Sequence, residues 1–113
     1  MKLIVAMVSE ERYIESLLAA LAEVGVIDAV LLQGEGPERA LTHEIPIFAP
    51  LSQLLSSTRA ERRLILALAE DDDALEQLRK ILPDYDIDIE KDGGAVIFSV
   101  PVDSTITFEE PEI

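Results

Sequence analysis

The chain has 113 residues, 49% of them apolar, with 23 acidic against 9 basic side chains and a net charge of −14. That length and apolar content suit a single domain, residues 1–113, with a core of its own. A field so negative repels nucleic-acid backbones and anionic membranes, and the lack of cysteine excludes disulfides and thiolate metal sites.

The opening MKLIVAMVSEE predicts a strand over Lys2–Val8. Its apolar run is too short for a signal-peptide core or a bilayer span, so a cytoplasmic protein without direct membrane insertion is expected. Ser9 offers an N-cap, with Glu10 and Glu11 in the first turn where the helix dipole favours acids. Ile14, Leu17, Leu18, Leu21 and Val24 then recur at helical spacing, and Gly25 closes the helix. Val26–Gln33 reads as a second strand. From Gly34 to Ala60 the chain has two glycines, three prolines and scattered serines and threonines, a long connection of the kind that usually carries function.

Arg62–Ala69 is the third strand. Asp73 and Glu76 stand at capping-box spacing, Leu75, Leu78, Ile81 and Leu82 form a stripe, and Pro83 ends that helix. DYDIDIEKDGG leads into a fourth strand, Ala95–Val102. The order βαββαβ predicts an α+β, ferredoxin-like fold: a four-stranded antiparallel sheet with a long loop between strands 2 and 3.

Such a sheet carries its helices on one face and is normally polar on the other. Here both parities are apolar: Leu3, Val5 and Met7 alternate with Ile4, Ala6 and Val8, and Leu64, Leu66 and Leu68 with Ile65, Ala67 and Ala69. The second face needs a cover, and another copy of the chain is the expected one. The alternative is that the long connection folds back over the sheet.

Chemistry-bearing residues are few. His43 is the sole histidine, and with Ser9, Ser56 and Ser57 it composes no triad. The acidic run Glu70–Asp73 reads either as a divalent-cation site or as helix capping. Arg59, Arg62 and Arg63 hold an anion or pair with the many acids. With no asparagine, no CxxC and no aromatic on strands 1 and 3, acylphosphatase-type, metal-chaperone and RNA-recognition readings of the fold fall away. Gly34, Gly36, Gly93 and Gly94 let a ligand approach the main chain closely, with Arg39 and Lys91 as nearby cations, or else they serve only tight turns.

KLIVAMV, QGEGPERALTHEIPIFAPL and GGAVIFSVPVD, in that order along essentially the whole chain, resemble the PII-like signalling proteins, relatives of the nitrogen-regulatory PII family. The resemblance implies a homotrimer of ferredoxin-like subunits with their sheets packed inward, a regulator and not an enzyme. It makes residues 34–60 a T-loop that meets a partner protein, and Lys91–Gly94 a B-loop. It puts a small-molecule effector, an adenine nucleotide in PII proteins, in the cleft between subunits, lined by Gly34, Gly36, Arg39, Lys91, Gly93 and Gly94. Where PII proteins grip phosphates with two arginines, this chain has Thr107 and Glu109, and a carboxylate there repels a triphosphate. Its only tyrosines, Tyr13 and Tyr85, lie outside the loop. Inside the loop, IPIFAPLSQLL is apolar enough to dock on the assembly or on a partner, such as a transporter. Two further readings are a small oligomeric enzyme using His43 or Tyr85 with a nearby carboxylate, and a metal-binding trimer using surface carboxylates.

Overall fold

The computed structural model describes residues 1–35, 61–88 and 93–107. Strand β1 is Lys2–Val8; a 3-10 turn, Glu11–Tyr13, leads into α1, Ile14–Glu23. Strands β2 (Val26–Glu35) and β3 (Glu61–Ala69) follow, then α2 (Ala74–Ile81), a second 3-10 turn (Leu82–Tyr85) and β4 (Ala95–Pro101). The strands form one antiparallel sheet in the order β2-β3-β1-β4. This α+β architecture is compatible with the ferredoxin-like plan.

One parity of the sheet builds the core. Ile4, Ala6 and Val8 of β1, Ile65, Ala67 and Ala69 of β3, and Ala95 of β4 are buried. Against them α1 sets Leu17, Ala20, Leu21 and Val24, and α2 sets Ala74 and Leu78. Alanines on the sheet leave room for leucines from the helices. Each large side chain so buried contributes about 1.5–3 kcal/mol.

The helix ends differ from the sequence expectation in two places. Ser9 does not cap α1: its hydroxyl donates to the Gly94 carbonyl at 3.2 Å, and the helix is entered through the 3-10 turn with no side-chain cap. Nor does Asp73 cap α2: its carboxylate accepts from the Gln77 amide at 2.8 Å, one helical turn on. In each case the side chain is turned to another partner, Ser9 as a donor and Asp73 as an acceptor. Gly25 does close α1, at φ 84°. Pro83 sits in the 3-10 turn that follows α2, and Asp86 ends that turn in a left-handed conformation, φ 60°.

β2 runs two residues further than expected, through Gly34 and Glu35, and carries a register shift between Val26 and Asp28. The extra residue, Ile27, is half exposed at 52%. By inserting one position, the bulge moves Asp28 opposite Leu68 on the outer parity and seats Val30 opposite Leu66.

The outer parity is apolar in three successive rows except at Asp28, and ends at the Gly34–Arg62 pair. Val30, Leu66, Val5 and Phe98 form a row across all four strands; Leu32, Leu64, Met7 and Val96 form the next. Asp28, Leu68, Leu3 and Val100 form the third. Val30 is 49% exposed, Met7 46% and Val96 57%, and among the described residues no helix lies on this face.

At the other side of the molecule, the Tyr85 hydroxyl donates to the Glu23 carboxylate at 2.6 Å, tying the turn after α2 to the end of α1. That hydrogen bond raises the phenol above its ordinary value of 10.0, with desolvation and the charges of Glu23 and Asp84 adding to it. A folded value above the unfolded one means the contact stabilises below about pH 10 and is lost as pH climbs through the folded value. Glu23→Gln should therefore bring the Tyr85 transition down toward the ordinary value in an ultraviolet tyrosinate titration, with no change near neutrality.

Candidate functional site

One end of the sheet gathers the candidate residues that the structure describes. β1 finishes there at Val8, paired with Arg63 and Ala95; β2 finishes there, with Gly34 paired to Arg62; β4 starts there after Gly93 and Gly94. Gly36, Arg39, His43 and Lys91 lie outside the described residues, as do Ser56, Ser57, Arg59, the apolar 45–55 stretch and Glu109.

The described glycines do not converge within a single chain. Gly34 is on edge strand β2 and Gly93 and Gly94 adjoin edge strand β4, with β3 and β1 between. Three strand spacings separate the edges, roughly 14 Å. A small ligand touching both needs the β2 edge of one copy to face the β4 edge of another.

The glycines also divide by role. Gly94 is buried and committed to its own chain. Its carbonyl accepts from the Ser9 N–H at 2.9 Å, the Glu10 N–H at 3.2 Å and the Ser9 hydroxyl. A Cβ there would overlap Tyr13 Cε2 and stand 2.5 Å from Glu10 Cγ. Gly94 is therefore the site where the β1–α1 junction seats on β4. Gly93 is exposed at φ 74°, with nothing within 4 Å of a Cβ position. Gly34 is exposed too, its nearest neighbour the Arg62 carbonyl at 3.9 Å. These two offer open main chain at opposite edges.

Two residues that the sequence reading did not single out complete this end. Tyr13 is 4% exposed and wedges its ring against Gly94. Arg12 lies 4.8 Å above that ring, donates to the phenol oxygen at 3.1 Å, and approaches Glu10 at 3.8 Å. The signal for Tyr13 was present: positions 13, 17, 20, 21 and 24 are one helical stripe, and it starts one residue before Ile14. Arg63 meets Glu11 at 3.4 Å, so that member of the basic cluster makes an ion pair within the chain. At this exposure such pairs are worth at most about 1 kcal/mol.

Among the described residues, no group of three or more histidines, aspartates or glutamates is placed to hold a metal ion, and no helix is long and apolar enough to cross a membrane. Tyr85 does find a carboxylate, Glu23, but the contact holds the phenol in its acid form. Thr107 is exposed beyond β4. No protein-family model matches the chain, and no curated protein is significantly similar to it.

Proposed function

We propose that this chain is a PII-like regulatory protein: a cytoplasmic homotrimer that senses a small molecule in the cleft between subunits. The signal passes through the 34–60 connection to a partner protein such as a transporter or an enzyme. The observation that carries the proposal is the outer sheet face, apolar in all three rows except at Asp28 and without a covering helix among the described residues. Packing those faces around a shared centre removes them from water, which is the main driving force for such an assembly.

The strand directions support the location of the cleft. In the order β2-β3-β1-β4, β2 and β4 run in opposite senses, so β2 of one copy can lie beside β4 of the next with the antiparallel pattern kept. Gly34 of the first copy then stands near Gly93 of the second. Effector binding would favour one arrangement of the connection over another, a population shift. Adenine nucleotides are one candidate class of effector, although position 109 is glutamate where PII proteins have a phosphate-gripping arginine.

Sedimentation at micromolar concentration should find a trimer, and a monomer there overturns the proposal. Thermal unfolding against adenine nucleotides, cyclic dinucleotides, bicarbonate and amino acids should then single out an effector, since a ligand of the native state raises Tm with its saturation.

A further inference from the structure

Within the three apolar rows of the outer face one side chain is charged, Asp28. The bulge before it turns Asp28 outward, opposite Leu68, and Leu3 and Val100 complete the row. This row lies where β2 begins and β4 ends, at the far end of the sheet from the Gly34–Arg62 pair. All four strands and the residues adjoining them at this end are described.

The Asp28 carboxylate accepts from the Ala29 N–H at 2.9 Å and is exposed in a single copy. Both helices pack against the opposite face and bring no group to it. The cations nearest along the ladder are otherwise placed. Lys2 pairs with Ala69 and Pro101 on the helix-side parity, and the Met1 amine is held by Asp72 at 2.7 Å. Two more ionisable groups at this end are acids: Glu70, two residues past Leu68, and Asp103, two past the end of β4.

In the trimer proposed above, the outer faces turn inward and β2 of one copy lies beside β4 of the next. Each Asp28 then enters a seam opposite the end of its neighbour's β4, where Asp103 follows. Burial disfavours the charged form of a carboxyl, and a nearby acid disfavours it further. We infer that Asp28 links self-association of this chain to protons, the trimer forming best with that carboxyl protonated. This rests on the trimer reading, since a lone copy leaves Asp28 in water.

The assembled state holds the proton to higher pH than a single copy does. Association therefore takes up protons, is favoured in acid and weakens as pH rises. With one site in each copy, at most about three protons enter per trimer.

Sedimentation equilibrium between about pH 5 and pH 8 reads this linkage, and the association constant should rise at least about tenfold toward the acid end. Asp28→Asn keeps an oxygen for the Ala29 N–H. It should associate at least about tenfold more tightly than the unaltered chain near neutrality and lose most of the pH dependence. Glu15→Gln makes the same charge change on the exposed side of α1 and controls for eased repulsion between copies of net charge −14. It should keep the full pH dependence. A trimer whose association ignores pH, or an Asp28→Asn protein no tighter than Glu15→Gln, overturns the inference and leaves the trimer standing. A monomer at every pH overturns both.

Discussion

Gly94→Ala should be the most damaging single methyl group that can be added to this protein. The new Cβ overlaps the ring of Tyr13, which is buried at 4% exposure, and stands 2.5 Å from Glu10 Cγ and 2.9 Å from Glu10 Cβ. Neither neighbour can step aside cheaply. Tyr13 is packed in the core cluster, and the Glu10 main chain is held by its N–H to the Gly94 carbonyl at 3.2 Å. Relief requires β4 and the β1–α1 junction to separate, which strains the Ser9 and Glu10 hydrogen bonds together. Overpacking of this kind costs about 1–3 kcal/mol before those bonds are counted. Against a total stability of about 5–15 kcal/mol, that loss is large. Urea unfolding should show a lower midpoint with an unchanged slope. Tyr13→Ala is itself destabilising, but the two changes together should cost less than their sum, because the first removes the atom the second collides with. Additive losses would show that the clash is not the cause. Gly93→Ala strains an exposed turn at φ 74° but meets no neighbour, so its cost should be the smaller one.

Leu66→Glu should dissociate the proposed trimer. Leu66 is central on the outer face, directly between Val30 on β2 and Val5 on β1, with Phe98 beyond. In one copy it is only half-buried, so glutamate there reaches water and the isolated fold survives. Around a shared centre, every copy would bring the same carboxylate into an apolar interior. An unpaired buried charge costs several kcal/mol, enough to undo a micromolar contact. The expected result is a folded monomer in sedimentation, with far-ultraviolet dichroism unchanged. Glu15→Gln, on the exposed side of α1, is the matched control and should leave the oligomer intact. A Leu66→Glu protein that keeps its native mass would mean the outer face is not the contact between copies.

Much of the fold was legible because hydrophobic period and chain punctuation agree. All four strands fall within two residues of their expected bounds, and the βαββαβ order follows from them. The capping oxygens of Ser9 and Asp73 were not legible. Ser9 answers to a carbonyl 85 residues away, which local spacing cannot encode; Asp73 answers to Gln77 four residues on, a spacing that competes with the capping box in the same stretch. The Ile27 bulge was equally hidden, since VIDAVLLQ alternates plausibly in either register until β3 fixes it. At the candidate site, sequence could mark Gly34, Gly93 and Gly94 as special. It could not tell the glycine that packs from those that face outward, because that distinction depends on where Tyr13 lands.

The β2–β3 ladder continues beyond the end of β1, through Gly34–Arg62 to Glu35–Glu61. Two main-chain ends joined in this way stand about 5 Å apart, which is the gap that a two-residue hairpin turn closes. Residues 36–60 therefore join two ends that this ladder already holds side by side. Replacing them with a tight turn or a foreign peptide should leave the described strands with the same neighbours and the far-ultraviolet dichroism of the sheet unchanged.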